Sequence, residues 1–247
     1  MSNVSISTNN LTIGYRVQTK EYKVQTDINF ALQQGEMVCM LGPNGCGKST
    51  LLRTLSGLQP ALSGKFSLTA ERSKSIALVL TERLSMDNTS VHDVVAMGRY
   101  PYTSFLGGLT DEDERIIEEA LAQVGFNSQL SILNSPFNAH SDGEKQRILI
   151  AKALAQQTPI VLLDEPTAHL DLPHRILILR LLRQLAHEQG KTILISTHEL
   201  DLALALSDRI LLMSPAGKGI ELDTADNLRK KDAFTLAFGM DIFNPLG

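Results

Sequence analysis

The 247-residue sequence lacks any run approaching the roughly 18 consecutive apolar residues that a membrane-spanning helix requires. Its opening residues, Met1-Ser2-Asn3-Val4-Ser5-Ile6, lack the basic stretch and apolar core of a secretory signal, so none is expected. Cysteine is scarce. Cys39 and Cys46 are the two present, which argues against a disulfide-stapled scaffold and predicts a pair of reduced thiols. Nor is there a basic excess: 23 Lys+Arg face 27 Asp+Glu, a formal net charge of −4, which weighs against a protein that coats a polyanion. No nucleic-acid partner is expected. Internal repeats, low-complexity tracts and linkers are absent as well, so residues 1–247 are read as one domain. What is present is a chain with 43% hydrophobic residues, long enough to bury a core without a metal or disulfide staple.

Short β-branched or Leu-rich runs alternate with amphipathic helical stretches, which predicts an α/β architecture around a mainly parallel sheet. The expected strands are Val4–Thr8, Leu11–Tyr15, Glu36–Leu41, Ser75–Leu80, Ile160–Leu163, Thr192–Ser196 and Arg209–Met213. Ile160-Val161-Leu162-Leu163 and Thr192-Ile193-Leu194-Ile195 carry apolar residues at consecutive positions, as strands buried on both faces do. Ser90 to Gln157 differs, with helical patterns throughout. There Thr110 is placed to cap a helix whose first turn is Asp111-Glu112-Asp113, acidic groups near the positive end of its dipole. Ile116, Ile117, Ala120, Leu121 and Val124 share one face of that helix, and Gly125 supplies a stop.

Gly42-Pro43-Asn44-Gly45-Cys46-Gly47-Lys48-Ser49-Thr50 matches the phosphate-loop pattern G-x-x-x-x-G-K-[ST]. It follows the apolar run Met37–Leu41 and leads into a helical stretch from Thr50, which is where such a loop belongs. Glycines let successive backbone N–H groups turn toward one anion, and the helix N-terminus adds partial positive charge. Lys48 is then placed for the β- and γ-phosphates of a nucleoside triphosphate and the Ser49 hydroxyl for Mg²⁺. Cys46, between Lys48 and a helix N-terminus, is expected to have a lowered pKa and a reactive thiol.

A second set of polar residues follows an apolar strand: Ile160-Val161-Leu162-Leu163 runs straight into Asp164-Glu165. Asp164 is placed to hold the metal through water, and Glu165 to orient or deprotonate an attacking water. Ile193-Leu194-Ile195-Ser196-Thr197-His198 repeats the layout with a histidine at the end of a strand expected to run parallel to it, within reach of a γ-phosphate. Between them, Ser141-Asp142-Gly143-Glu144 reads as a capping box opening a helix through Ala155. By spacing alone that is a helix start and nothing more.

Taken in order, Tyr15, the loop at Gly42–Thr50, Ser141-Asp142-Gly143-Glu144-Lys145-Gln146, Leu163-Asp164-Glu165-Pro166-Thr167, Ala168-His169-Leu170-Asp171 and Thr197-His198 resemble the nucleotide-binding subunits of ATP-binding cassette (ABC) transporters over nearly the whole chain. Met97-Gly98-Arg99-Tyr100-Pro101-Tyr102 further resembles importers of iron chelates (siderophores), haem or vitamin B12. The resemblance implies a P-loop NTPase core, an N-terminal antiparallel β subdomain and a helical subdomain at roughly 83–158. It implies ATP and Mg²⁺ as ligands, with Tyr15 stacked on the adenine and Asn44, Gly45, Cys46, Gly47, Lys48, Ser49 and Thr50 around the phosphates. Glu165 would be the catalytic base, His198 the γ-phosphate sensor, and Ser49 and Asp164 the metal residues. Two chains would pair head to tail, so that Ser141 and Gly143 of one reach the ATP held by the other, with Asp171 in the loop across the interface. Separate permease subunits would dock near Ser90–Leu109, a periplasmic or surface binding protein would deliver cargo to them, and the chain would work at the cytoplasmic face of the membrane.

Three positions depart from the family pattern. Thr81-Glu82 stands where a glutamine is usual, so that residue's role is not carried over. Asp142 and Glu144 bring negative charge into the signature segment. His140 replaces an apolar residue and is expected to be accommodated at the surface. Two other functions fit a cassette: an ABC-type ATPase acting on nucleic acid or the ribosome, and a nucleotide-gated scaffold with little turnover. The single cassette, the acidic balance and the lack of a long coiled-coil insertion disfavour the first, and the missing glutamine leaves room for the second.

Overall fold

The computed structural model describes residues 3–68, 75–80, 88–103, 108–126, 130–215 and 219–243. The chain opens with β1 (Val4–Val17), β2 (Lys20–Ile28) and β3 (Ala31–Gln33), then runs through β4 (Met37–Leu41), α1 (Lys48–Ser56), β5 (Ser63–Leu68) and β6 (Ile76–Val79). A helical stretch follows, with α2 (Val91–Ala96), a 3-10 segment (Met97–Tyr102), α3 (Asp111–Gln123), the short α4 (Leu130–Leu133) and α5 (Asp142–Ala155). The remainder is β7 (Ile160–Asp164), α6 (Leu172–Gln189), β8 (Thr192–Ser196), α7 (Leu200–Leu206), β9 (Arg209–Met213), β10 (Ile220–Asp223), α8 (Ala225–Lys230) and α9 (Ala233–Phe238).

Six strands form one sheet in the order β10-β9-β4-β8-β7-β6, parallel except for the β10 edge. Every residue of β4, β7 and β8 is buried, and their alternation sorts side chains between two cores. Met37, Cys39, Leu41, Val161, Leu163, Ile193 and Ile195 face the core formed with α2, α3, α5 and α6. Val38, Met40, Ile160, Leu162 and Leu194 face the other, where Leu51, Leu52 and Leu55 of α1 meet Ile6, Leu11, Ile13 and Ile28 of the N-terminal sheet. Full burial of each such aliphatic side chain stabilises the fold by about 1.5–3 kcal/mol before entropy is counted. The consecutive apolar runs in the sequence therefore mark a sheet covered on both faces.

The N-terminal sheet is antiparallel, with β1 paired to β2, β3 and β5. The two strands expected at Val4–Thr8 and Leu11–Tyr15 are one. Between them Asn10 takes a left-handed turn at φ 46°, which Asn tolerates better than most residues, and the ladder with β5 shifts register there. Glu36, expected as the start of a strand, lies just before β4 and pairs with Arg209 instead. Strands β2, β3, β5 and β10 had no counterpart among the sequence expectations. β2 and β5 expose much of their length and β10 is only four half-buried residues long, so few apolar residues mark them.

The helical stretch follows its caps. Thr110 Oγ1 accepts from the Asp113 N–H while Asp113 bonds back to Thr110, and Ser141 and Glu144 do the same at the start of α5. Val124 closes α3 and Gly125 follows at φ 86°, as its sequence implied. Arg99 and Asp113 form a buried ion pair at 2.7 Å, and Arg99 also donates to the Ala155 carbonyl at 2.8 Å. That pair ties the 3-10 segment to α3 and to the end of α5.

Candidate functional site

The sheet decides where the chemistry converges. β8 lies between β4 and β7, with Met40 and Asp164 both in register with Ser196. The loop after β4, the carboxylates ending β7 and the histidine following β8 therefore emerge side by side at the carboxyl edge of three parallel strands. Ligands bind there in open α/β sheets.

The loop at Gly42–Thr50 is wrapped between β9 and β2. Gly42, at φ 156°, admits no side chain, because a Cβ would fall 2.3 Å from the Met213 carbonyl oxygen. Gly47, at φ 106°, presses on β2, where a Cβ would fall 2.7 Å from Val24 Cγ1. Asn44 and Gly45 are exposed at the tip, and Lys48, Ser49 and Thr50 form the first turn of α1. Lys48 is buried, and its Nζ donates to the Gly42 carbonyl at 2.8 Å and the Pro43 carbonyl at 3.3 Å. The ammonium thus folds back onto the first residues of the loop it belongs to.

Cys46 corrects the expectation of a reactive thiol. Its side chain is 3% exposed, and burial pushes its pKa up although the Lys48 charge pulls it down. Desolvation of the thiolate outweighs the nearby cation and the helix end. Both cysteines are free thiols, as expected.

Ser196 organises the carboxylates. Its buried hydroxyl donates to Asp164 Oδ1 at 2.6 Å and accepts from the Glu165 N–H at 2.9 Å. Glu165 is held in the left-handed region, at φ 46°, by that bond and by a second one from its N–H to the Ser196 carbonyl at 3.1 Å. Such a conformation costs about 1–3 kcal/mol and persists only where its surroundings impose it. It turns the Glu165 side chain to His198, whose Nε2 lies 2.6 Å from Glu165 Oε1. Ser196 was visible in the sequence only as a strand-end residue. Its bonds across the sheet could be read only once β7 and β8 were known to be neighbours.

Ser141 and Gly143 open α5. The Ser141 hydroxyl donates to Glu144 Oε2 at 2.8 Å, and the Ser141 N–H reaches the same oxygen at 3.0 Å. These bonds hold the Glu144 carboxyl below its usual range and turn its charge onto the helix cap. Gly143 packs beneath the imidazole of His174, where a Cβ would fall 3.0 Å from Cδ2. His174 Nδ1 is bonded to Asp171, the N-cap of α6, whose carboxyl that bond lowers. The next residue, Arg175, donates to the Leu170 carbonyl at 2.6 Å and pairs with Glu199 beside His198. The first turn of α6 thus touches the Gly143 turn and the loop after β8, a link that spacing did not reveal. His140 is not merely a surface residue. Its ring packs edge-on to Phe126, and Nε2 lies 2.7 Å from Ser135 Oγ.

Tyr15 is half exposed and stacks on Tyr22 with ring centroids 5.3 Å apart, leaving an aromatic surface toward solvent. In the 3-10 segment Tyr100 and Tyr102 are exposed while Arg99 is buried, its guanidinium 4.2 Å from the Tyr102 ring centroid. Thr81 and Glu82 lie outside the described residues.

A glycine-rich loop between a buried strand and a helix, beside a strand-end Asp-Glu pair, defines a P-loop nucleotide-binding domain. The family profile described as ABC transporter matches residues 25–168, and the chain belongs to that family as one of its ATPase domains. It is 37% identical over 240 residues to the iron(3+)-hydroxamate import ATP-binding protein FhuC of Bacillus subtilis, a match covering 92% of this chain and 87% of that one. Among solved structures it resembles, with a TM-score of 0.84 and 30% identity, an inward-facing ABC transporter assigned to the metal-chelate type, over 96% of this chain and 90% of that one. It also resembles a dimeric ATP-binding cassette in a post-hydrolysis state with ADP and Pi, at a TM-score of 0.73 and 26% identity, over 89% of this chain and 98% of that one.

Proposed function

We propose that the chain is the energy-coupling subunit of an importer for iron chelates, haem or cobalamin, working as a head-to-tail homodimer beneath separate permease subunits at the cytoplasmic face of the membrane. A binding protein outside the membrane would deliver cargo to the permease. The observation that carries the reading is the Glu165–His198 pair, supported by Ser196 and placed next to the Lys48 loop. The phosphate loop, the strand-end carboxylates and the histidine emerge side by side from three adjacent strands.

In this reading Lys48 leaves the Gly42 and Pro43 carbonyls for the β- and γ-phosphates. The backbone N–H groups of Gly45–Thr50 and the N-terminus of α1 surround the same charge. Tyr15 stacks on the adenine. Glu165 takes a proton from the attacking water, and His198 exchanges its bond with Glu165 for one with the γ-phosphate. The residues fit Mg²⁺, for Ser49 is an exposed hydroxyl residue in the first turn of α1 and Asp164 is a carboxylate already oriented by Ser196. Both are the hard oxygen donors this cation takes, usually one or two of them along with phosphates and water. When bound, the ion neutralises charge on the β- and γ-phosphates.

The cap at Ser141 explains the second copy. Its hydroxyl and N–H now serve Glu144 within the chain. A partner's γ-phosphate offers a stronger charged acceptor, and the N-terminus of α5 supplies the complementary dipole. Closure of the dimer on two ATP molecules and its reopening after hydrolysis then move the permease docked near Tyr100 and Tyr102. No helix of the described residues is long and apolar enough to cross a membrane, in keeping with a transport step carried by other subunits.

The test is co-purification with the membrane partner, followed by ATP-driven uptake of an iron chelate, haem and cobalamin in reconstituted vesicles. Uptake of one of them, abolished by Glu165→Gln, is the expected result. ATP hydrolysis stimulated by nucleic acid and not by a permease would overturn the importer reading. Absence of hydrolysis even with the permease would instead favour a nucleotide-gated scaffold.

A further inference from the structure

Gln25 lies in β2 with 1% of its surface exposed, opposite Ile13 of β1, at a point where the β1–β2 register shifts on either side. Its Nε2 donates to the Cys46 carbonyl at 3.0 Å and to the Ser214 carbonyl at 2.6 Å. Both partners are carbonyl oxygens, which only accept, so the orientation of the carboxamide follows from its neighbours. Its Oε1 is buried with no hydrogen-bond partner among the described residues. An apolar side chain of similar length would fill this space without an orphaned oxygen. What glutamine adds is the pair of bonds to the carbonyls.

Those carbonyls matter because of what adjoins them. The chain contains no cis peptide among its described residues, and in a trans peptide the C=O and the following N–H point in opposite directions. Holding the Cys46 carbonyl against β2 therefore directs the Gly47 N–H away from β2. Ser214 directly follows β9, whose last residue, Met213, is the one that Gly42 abuts at the loop's other end. One carboxamide thus ties the phosphate loop to β2 and to the end of β9.

We propose that Gln25 is a positioning residue of the phosphate loop, whose carboxamide turns the Cys46 carbonyl outward and so aims the Gly47 N–H at the phosphates of ATP. The inference rests on reading Gly42–Thr50 as the phosphate site. The probe is ATP, with binding followed by calorimetry and turnover by phosphate release, in the parent chain and in Gln25→Met. Loss of this bond weakens binding of substrate and transition state alike, so KM and Kd rise about tenfold while kcat stays within about twofold. The melting temperature of Gln25→Met falls only slightly, because two carbonyls lose a donor while a buried oxygen without a partner is removed.

A folded Gln25→Met chain that binds ATP as tightly as the parent overturns the inference alone, as does a loss confined to melting temperature. A parent that does not bind ATP overturns both the inference and the site reading beneath it. The unsubstituted chain gives a second measurement, independent of how the variant folds. With glutamine side chains labelled with ¹⁵N, the Gln25 amide protons exchange slowly and their resonances move when ATP is added. Rapid exchange, or resonances indifferent to ATP, contradicts the proposal.

Discussion

His198 Nε2 lies 2.6 Å from Glu165 Oε1, although the two residues follow different strands. The contact exists because β7 and β8 are parallel neighbours in register and because Ser196 bonds to both Asp164 and Glu165. Ser196 is thus the hinge pin of this half of the site. Replacing it with alanine removes a buried hydroxyl that serves two partners and leaves Asp164 Oδ1 without that donor. Ser196→Ala is expected to cost about 1–3 kcal/mol in urea unfolding. It should also lower kcat severalfold more than it raises KM, since Glu165 loses one of the bonds that fix its left-handed turn. An unchanged kcat would show that the Ser196 carbonyl alone holds Glu165.

The thiols give a prediction opposite to the one the sequence suggested. Cys39 is buried, its pKa pushed up to about 12 by desolvation, and Cys46 is buried under the loop with its pKa raised. Neither is a ready nucleophile at neutral pH. Titration of the native chain with a thiol reagent at pH 7.5, a value chosen because free thiols already react there, should proceed slowly, and both thiols should appear on unfolding. A single fast-reacting thiol that ATP protects would restore the expectation of an activated Cys46.

The buried Arg99–Asp113 pair carries a pH dependence. Hydrogen bonds from Thr110 and Arg99 hold the Asp113 carboxyl at about 2, below its ordinary 3.8. A depressed folded-state value means the stabilisation is complete above the unfolded value and is lost as the pH falls through the folded one. The stability gap between the parent and Asp113→Asn should therefore be constant above about pH 5 and close as the pH falls toward 2. A shift of that size corresponds to about 2–3 kcal/mol of stabilisation at neutral pH. A gap that persists unchanged at the acid end would show that the carboxylate charge is not what matters.

Gly143 and His174 provide a steric test. A Cβ at Gly143 meets the His174 ring at 3.0 Å, tighter than ordinary contact. Gly143→Ala should weaken ATP-driven association of the Glu165→Gln background about tenfold, a loss of about 1.4 kcal/mol. Adding His174→Ala should restore part of it by making room. Additive losses in the double variant would mean that the two residues do not communicate.

How much of this was legible depends on the kind of signal each residue carried. The buried strands β4, β7 and β8 announced themselves through consecutive apolar residues, and Thr110 and Ser141 through cap chemistry, because both signals are local. The phosphate loop was legible for the same reason: its glycines and Lys48 occupy one contiguous segment. β2 carries too many polar residues on its exposed side for its period to show, and with β2 unrecognised Gln25 had no place. Ser196, His174 and Arg175 act across the sheet or between helices. Spacing along the chain says nothing about partners that only the fold brings together. Cys46 was misjudged because sequence shows its charged neighbour and not its burial, and burial is the larger effect here.

The central claim is that one chain carries only half of each ATP site, the Glu165 half or the Ser141 half. Sedimentation of Glu165→Gln with and without Mg-ATP tests it most directly. The account predicts a single chain without nucleotide and a two-chain species holding two ATP when nucleotide is present, weakened by Ser141→Ala. A Glu165→Gln protein that binds ATP fully and remains a single chain at every concentration would contradict it.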